Sequence, residues 1–421
     1  MTGAENEPIV AKQHADTALH LAEQYAQQLV SLDVLTTGKL PYGNHPTSLA
    51  HGAAGIALLH IERAVQGTGS WEIARRWIAA AATGPISSGA NAGAFHGAPA
   101  LAFMLRIAAN AEPIHAGGAL KTLELATDEV VRRRIAMATA RRSQGELAQL
   151  AEFDTLRGLT GLGMILIHRE PEADLVRELL VCLVALAQPV QDGDDQLPGW
   201  WTDAGPNGKV SEKFPGGHAN TGLAHGVAGP ISLLSHAALY GICVPGQAEA
   251  IERMCGWLDR WQQNDQAGPW WPHWVTRQDL HRQSTSQTGP WRPSWCYGTA
   301  GIARAQQLAG LALGDHQRQV MAEHAIVAAF CDPERLAETA DASLCHGFAG
   351  LAHVAARTAA DAATPELRKH VPALLQRITT TAEVGPGYNP DLLDGLAGTA
   401  LALYALASPA ATAWDQVFAI G

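Results

Sequence analysis

Cysteine and positive charge are both scarce in this 421-residue chain. The six cysteines stand at positions 182, 243, 255, 296, 331 and 345, and their spacing lacks the regularity of a disulfide framework. This pattern predicts a reducing compartment, the cytoplasm. Lysine and arginine number 29 against 40 acidic residues, so the net charge is −11. Without a basic block, a DNA or RNA partner is not expected.

Long hydrophobic runs are missing as well. The longest candidates, such as LALYALASPA (residues 401–410), are broken by small or polar residues, so no membrane-spanning segment is predicted. The N-terminal stretch MTGAENEPIV lacks the positive charge and apolar core of a signal peptide, and residues 1–12 are expected to be flexible. Hydrophobic residues nevertheless make up 47% of the chain, which indicates a large buried core.

A repeated motif organises the chain. Gly-x-x-Gly followed by small apolar residues recurs seven times, with the first glycine at positions 52, 97, 158, 226, 298, 347 and 395. The second copy departs from the pattern, because Ala100 stands where the later glycine is expected. The intervals run from 45 to 72 residues, which is enough for two helices and their loops.

We therefore predict an all-α fold, an α/α toroid (barrel) of seven helical hairpins whose inner helices start at Gly-x-x-Gly; an open solenoid is the alternative. Glycine permits the turn and the close approach of helices, and amphipathic segments between the motifs, such as VRELLVCLVALA, predict an outer layer. No linker separates the copies, so a single domain over residues 1–421 is predicted. The spacers Gln188–Gly217 and Gln262–Pro293 are expected to form long loops.

Two of the six cysteines share one register of the repeat. Cys296 and Cys345 each stand two residues before the first glycine of consecutive copies, so a closed ring would place their thiols across one groove. In a reducing compartment this favours a metal over a disulfide, and His346 is the candidate third ligand. Two thiolates and one imidazole suit tetrahedral Zn²⁺ with a fourth position open to water or substrate. The alternative is two buried cysteines and a capping histidine.

Further polar side chains fall at the same end of neighbouring copies, namely His225, Asp154 and Arg292. Each also has a structural interpretation. Asp154 can be an ordinary N-cap, and Arg292 can be a solvated loop charge. Histidine also stands directly before the first glycine of the first two copies, as His51 and His96, where we favour a helix-capping role.

In combination these motifs resemble the lanthionine cyclases of lanthipeptide biosynthesis (the LanC-type enzymes) over nearly the whole chain. The matching elements are Asp154 with Gly158 and Gly161, Ala224-His225-Gly226, Arg292, Trp295-Cys296-Tyr297-Gly298, and Cys345-His346-Gly347. The resemblance implies an α/α toroid with one zinc ion held by Cys296, Cys345 and His346. Some members carry a β-rich insertion near the third repeat. Here the interval from Gly97 to Gly158 spans only 61 residues with a helical pattern, which argues against a sizeable insertion.

The implied reaction adds a peptide cysteine thiol to a dehydroalanine or dehydrobutyrine of the same precursor peptide and forms a thioether ring. A free cysteine has a pKa near 8.5, so only about 3% is ionised at pH 7, whereas zinc ionises a bound thiol. The resulting enolate needs a proton, for which His225 is the candidate general acid. Asp154 would orient that imidazole, and Arg292 would stabilise the enolate oxygen. Tyr297 and Trp295 are expected to pack around the metal.

Other functions stay open. An enzyme of this type can add glutathione or another small thiol to dehydrated residues, and a non-catalytic peptide-binding scaffold of a biosynthetic complex would hold a structural zinc. A toroidal glycosidase needs two facing acidic residues and leaves the paired cysteines unexplained. For the cyclase, the expected partners are the dehydrated precursor peptide and a complex with a dehydratase or transporter. Tryptophans such as those of GPWWPHWV (residues 268–275) either shape a peptide groove or pack loops.

Overall fold

The structure, a computed structural model, describes residues 9–41, 43–112, 117–382 and 388–421. Its α-helices are α1 (Lys12–Gln28), α2 (Val34–Thr37), α3 (Ala53–Val65), α4 (Trp71–Ala81), α5 (Ala98–Ala111), α6 (Gly117–Ser143), α7 (Leu159–Arg169), α8 (Asp174–Leu186), α9 (Ala228–Leu239), α10 (Gln247–Trp261), α11 (Arg277–Arg282), α12 (Thr299–Leu313), α13 (His316–Cys331), α14 (Pro333–Ala337), α15 (Phe348–Asp361), α16 (Val371–Thr381) and α17 (Leu396–Ala407). Short 3-10 turns cover Leu150–Glu152, Glu366–Lys369 and Gln416–Phe418.

The seven copies of the motif start seven buried helices. Helices α3, α5, α7, α9, α12, α15 and α17 each begin within two residues of the first glycine of a copy. Their side chains are buried around nearly the whole circumference, whereas α4, α8, α10 and α16 bury one face. The inner and outer layers predicted from the repeat therefore exist as described.

The chain forms two compact units, of which the first comprises Met1–Thr127 and Ala337–Asp415. Within it, α17 packs between α3 and α15, so that the last copy of the motif lies against the first one. Helices α1, α4 and α16 cover α17, α3 and α15, respectively. Contact between the first and last copies is expected of a closed ring and not of an open solenoid.

The second unit comprises Asp128–Leu336 and Gln416–Gly421. Here α9 packs between α7 and α12, and α8, α10 and α13 lie against α7, α9 and α12. Two side chains of this unit bind the backbone of the last residues of the chain. The indole N–H of Trp295 donates to the Phe418 carbonyl at 3.1 Å, and Nε of Arg304 donates to the Ile420 carbonyl at 3.0 Å. The single domain over residues 1–421 stays a prediction.

Both glycines of the motif are required by close main-chain contacts. A Cβ on the second glycine of the fifth copy, Gly301, would lie 2.0 Å from the carbonyl oxygen of Trp295. On the first glycine, Gly298, it would lie 2.0 Å from the Ser294 nitrogen. Gly347 and Gly350 of the sixth copy repeat this arrangement, with clashes at 2.1 and 2.0 Å. In these two copies, Gly-x-x-Gly therefore lets the loop before the inner helix fold back onto the first turn of that helix.

The two spacers predicted as long loops differ from that prediction. They contain or border six short strands, β1 (Val190–Asp192), β2 (Asp195–Leu197), β3 (His218–Asn220), β4 (Gln263–Asn264), β5 (Pro269–Trp270) and β6 (Trp274–Thr276). The strands form three antiparallel pairs, β1–β2, β3–β6 and β4–β5. Gly193, with a φ of +61°, makes the tight turn of the first pair. Strands this short carry too few alternating residues to stand out in the sequence.

The remaining segments agree with the sequence where the structure describes them. The interval before Gly158 contains the 27-residue helix α6 and no strand among its described residues. The predicted flexibility of residues 1–12 falls mostly outside the described residues, and α1 begins at Lys12. Among the helices of the described ranges, none combines the length and apolarity that crossing a bilayer requires.

Gly301→Ala should destabilise the protein, because its methyl group would sit 2.0 Å from the Trp295 carbonyl oxygen. We expect the free energy of unfolding, measured in urea, to fall by roughly 1–3 kcal/mol, as for other overpacked sites. The matched control is Gly256→Ala in α10, where nothing lies within 4 Å of the added Cβ. That variant should gain about 0.5–1 kcal/mol from helix propensity. Equal stability of the two variants would contradict the close contact.

Candidate active site

Main-chain hydrogen bonds link equivalent positions of consecutive copies. In the second unit, the N–H of Ala224 donates to the Cys296 carbonyl at 3.0 Å. In the first unit, the N–H of Cys345 donates to the Leu393 carbonyl at 2.9 Å, and that of Leu393 donates to the Ala50 carbonyl at 3.3 Å. All of these residues stand two positions before the first glycine of a copy. Within each unit, the repeat therefore makes neighbours of equivalent loop positions.

Asp154 and His225 form a hydrogen-bonded pair in the second unit. Oδ2 of the fully buried Asp154 lies 2.6 Å from Nδ1 of His225, a side chain whose residue is 8% exposed. The other carboxylate oxygen, Oδ1, accepts the backbone N–H groups of Arg157 and Gly158, the latter at 2.9 Å. Asp154 is therefore not the N-cap of α7, which is Gly158. Its carboxylate closes the turn before the helix and also orients the His225 imidazole.

Cys296 is buried, with 5% of its surface exposed, in the loop before α12. Its thiol lies 3.4 Å from the Ser294 hydroxyl, which also accepts the backbone N–H groups of Tyr297 and Gly298. The Tyr297 ring lies 5.7 Å from the His225 ring, centroid to centroid. The loop thus brings a thiol, a phenol ring and an oriented imidazole together in one unit.

His273 is a buried imidazole that the sequence did not single out. Its ring stacks on Tyr297 at 5.6 Å and meets Trp291 edge-on at 4.6 Å. Burial lowers the pKa of His273 to about 4; the nearby Cys296 thiol acts in the opposite direction and Arg292 in the same direction. Nε2 of His273 is buried without a hydrogen-bond partner among the described residues. A histidine in an irregular loop, outside the repeated motif, offers no sequence signal for this position.

Arg292 is half-buried and lies close enough to His273 to disfavour its protonated form. The tryptophans of the two spacers divide into two groups. Those that pack the loops, each at most 4% exposed, are Trp200, Trp201, Trp270 and Trp271. Trp274 is half-buried and Trp291 is 43% exposed, so these two have surface to offer to a ligand.

Cys345 and His346 lie in the first unit, in the loop before α15. Nε2 of His346 is 3.3 Å from Oδ2 of Asp341, and Nδ1 of His346 is 3.8 Å from Oδ1 of Asp394. Burial alone would raise the pKa of the Asp341 carboxyl, but hydrogen bonds from His346 and Ser343 hold it well below its usual range. The Asp341 carboxylate therefore favours an imidazole that donates the N–H of Nε2 to it. This is a common arrangement for a histidine that binds a metal through its other nitrogen.

Cys296, Cys345 and His346 each offer one candidate ligand atom, and the three atoms lie within 4.8 Å of one another. In the parts of the chain that the structure describes, no second group of three Cys, His, Asp or Glu side chains has this spacing. In tetrahedral zinc sites, the ligand atoms lie roughly 3.5–3.8 Å apart, given bonds of about 2.3 Å to sulfur and about 2.0 Å to nitrogen. The donor set thus fits zinc, and the three atoms are near enough for a shift of about 1 Å to bring them to these distances.

His51 directly precedes Gly52, the N-cap residue of α3. The helix-capping role that the sequence favoured for His51 stays a prediction. The His51 ring lies 3.2 Å from Oδ2 of the fully buried Asp391, a pairing that the sequence analysis did not predict. The available signal was positional: Asp391 stands four residues before the first glycine of its copy, as Asp154 does.

Comparisons with known proteins agree with this picture. The chain matches the family described as lanthionine synthetase C-like protein over residues 43–419. It is 22% identical over 205 residues to the nisin biosynthesis protein NisC of Lactococcus lactis subsp. lactis. That match covers 48% of each sequence, so the chain spans about half the length of the curated relative it matches.

A solved structure of a nisin cyclase is similar to this chain with a TM-score of 0.75 at 19% sequence identity. The match covers 97% of this chain and 98% of the other one. At this level of identity the likeness shows the fold alone. The predicted fold class, an α/α toroid, is thereby confirmed.

Neutral His225 should be the tautomer that carries its proton on Nδ1, because the Asp154 carboxylate at 2.6 Å can only accept a hydrogen bond. Nitrogen-15 spectra of the imidazole should then show a protonated Nδ1 and an unprotonated Nε2. A His225→Gln variant assigns the signals, and Asp154→Asn should shift the tautomer balance. A neutral ring protonated on Nε2 in the unmodified protein would contradict the pairing.

Proposed function

Because the chain belongs to the lanthionine synthetase C-like family, we propose that it is a zinc-dependent lanthipeptide cyclase. It would add cysteine thiols of a precursor peptide to dehydroalanine or dehydrobutyrine residues of the same peptide and form lanthionine or methyllanthionine thioether rings. The observation that carries the proposal is the grouping of Cys296, Cys345 and His346 within 4.8 Å. The Asp154–His225 pair supports it from a second direction.

Cys296, Cys345 and His346 would hold one zinc ion. Bound there, zinc would supply the ionisation of a substrate thiol at neutral pH, where a free cysteine is about 3% thiolate. Cys296 is buried, and carboxylates face His346. Both features would hold these ligand side chains in place without a disulfide. Neither cysteine forms a disulfide among the described residues, which agrees with this role.

His225 would deliver the proton that Cα needs after the carbon–sulfur bond has formed. With Nδ1 engaged by Asp154, proton transfer falls to Nε2, which is the nitrogen that can point toward substrate. Asp154 would keep the ring in one orientation. Asp154 touches no reacting atom in this account and is a positioning residue.

Arg292 would stabilise negative charge on the enolate oxygen. Its proximity to His273 supports a location beside Cys296, since both groups act on the pKa of that imidazole. A fixed cation is most effective where water is excluded, and the buried aromatic side chains of this loop region provide such surroundings. Tyr297, wedged between two imidazole rings, would shape the site.

The substrate would be a dehydrated precursor peptide, with the half-buried Trp274 and the exposed Trp291 as the surfaces that it contacts. A complex with a dehydratase or transporter would deliver it, in the reducing cytoplasm that keeps the ligand cysteines as thiols.

Cys296→Ala should lose zinc and cyclisation together, because it removes one of three ligands. His225→Ala should retain zinc and slow ring formation, by roughly a hundredfold or more for a lost general acid. Elemental analysis gives the zinc content, and the rate follows from the loss of free peptide thiol. Cys255→Ala is the matched control, since Cys255 is fully buried outside the group and should leave both unchanged. Stoichiometric zinc in Cys296→Ala would refute the ligand assignment.

Incubation of the zinc-loaded protein with a dehydrated, cysteine-containing peptide should remove free thiol without changing the peptide mass. That result is required by ring closure, which only moves a proton and forms a carbon–sulfur bond. With glutathione present, a gain of one glutathione mass would instead indicate addition of a small thiol. An unchanged peptide in the presence of saturating zinc would favour the non-catalytic scaffold.

A further inference from the structure

The terminal segment, Gln416–Gly421, is buried within the second unit. Its 3-10 turn, Gln416–Phe418, packs against the inner helix α7. The last few residues of a domain are poorly ordered unless other parts of the structure tie them down. The members of this segment that are at most 2% exposed are Val417, Phe418, Ala419 and Ile420.

Two side chains from inner helices bind the backbone of the terminal segment. The Ser232 hydroxyl, from α9, donates to the Ala419 carbonyl, and Nε of Arg304, from α12, donates to the Ile420 carbonyl at 3.0 Å. Both side chains belong to residues that are at most 1% exposed. Ala419 has a φ of +56°, a conformation that a residue with a Cβ keeps only where its surroundings enforce it. The path of the segment is therefore set by its contacts.

Trp295 connects the terminal segment to the candidate metal site. It stands in the loop before α12, directly before Cys296. Its indole N–H donates to the Phe418 carbonyl at 3.1 Å, and the two rings meet edge to face with centroids 5.2 Å apart. The Trp295 carbonyl oxygen lies against the first turn of α12, where a Cβ on Gly301 would be 2.0 Å away. The terminal segment thus holds the Trp295 side chain, and α12 confines its main chain.

We propose that the terminal segment is a positioning element of the metal site, which sets the place of the Cys296 thiol through Trp295. The inference rests on the ligand assignment in the proposed function. Because the two residues share a peptide bond, a shift of the Trp295 main chain also moves Cys296. A zinc–sulfur bond has a length of about 2.3 Å, and binding tolerates deviations of only about 0.2 Å. Groups that hold ligands in place typically change metal affinity roughly 10–100-fold when they are mutated.

Trp295→Phe tests the inference, with Trp77→Phe in the outer helix α4 as the matched control. Trp77 is also fully buried, and its indole N–H donates to the Leu29 carbonyl at 2.9 Å. Each variant removes one buried hydrogen bond and part of a buried ring, so both should lower the thermal midpoint by similar amounts. Trp295→Phe alone should weaken zinc binding, by roughly tenfold or more in competition with a chelator.

Cobalt substitution provides a readout that a loss of stability alone would not change. Bound Co²⁺ absorbs light through charge transfer from thiolate sulfur, and this band depends on how many thiolates bind and at what distance. At saturating cobalt and well below the thermal midpoint, Trp295→Phe should have a weaker or shifted band. Trp77→Phe should have the spectrum of the unmodified protein.

Ser232→Ala releases the terminal segment at a different point with a smaller change in packing, because it removes the bond to the Ala419 carbonyl. Its matched control is Ser235→Ala in the same helix, which is equally buried and loses a bond to the Ile231 carbonyl of that helix at 2.7 Å. Ser232→Ala should weaken zinc binding in the same direction as the change at Trp295. Ser235→Ala should bind zinc as the unmodified protein does.

Unchanged zinc affinity and an unchanged cobalt spectrum in Trp295→Phe would overturn the inference, and so would equal changes in both members of either matched pair. The ligand assignment would survive these results. If Trp295→Phe does not fold, the serine pair decides by the same measurements. If the unmodified protein binds no zinc, the proposed function fails, and the inference falls with it.

Discussion

Within each of the two units, main-chain hydrogen bonds hold the loops of neighbouring copies in register. Examples are the bonds from Ala224 to Cys296 and from Cys345 to Leu393. A single bond of this kind contributes only about 0.5–1.5 kcal/mol, but a buried partner left unpaired costs about 1–3 kcal/mol. The glycines let a loop fold against the first turn of its own helix, since a Cβ at Gly301 would lie 2.0 Å from the Trp295 carbonyl oxygen. The positions of Cys296 and Cys345 follow from this bonding and not from the thiols themselves.

Buried aspartates then decide what the imidazoles on this layer can do. Asp154 combines two tasks, since one oxygen caps its turn and the other holds His225. Among the described residues, the Asp391 carboxylate is hydrogen-bonded to His51 alone. A carboxylate without solvent is tolerated where its charge is matched, and an imidazole is the partner that can carry that charge for part of a catalytic cycle. In both pairs, the loop before an inner helix therefore carries an imidazole that a buried carboxylate orients.

Much of this arrangement could be predicted from the sequence, because it depends on a repeat. The spacing of Gly52 through Gly395 predicts the seven inner helices, and the shared register of Cys296 and Cys345 predicts their candidate role. Short strands such as β4 could not be predicted, since two residues carry no periodicity. The place of His273 depends on the packing of an irregular loop against Tyr297. The pairing of His51 with Asp391 was not predicted, because Asp391 is 340 residues away in sequence.

Main-chain hydrogen bonds hold these loops together. The side chains at the bonded positions can therefore be replaced without loss of the bonds. Ala50 and Leu393 occupy loop positions that make the same kind of main-chain hydrogen bond as Cys296 and Cys345. New donor atoms introduced at such a pair would inherit a spacing already set by the backbone. Evolution or protein engineering can therefore move a reactive centre to another pair of loop positions by changing side chains alone, without a change in the backbone.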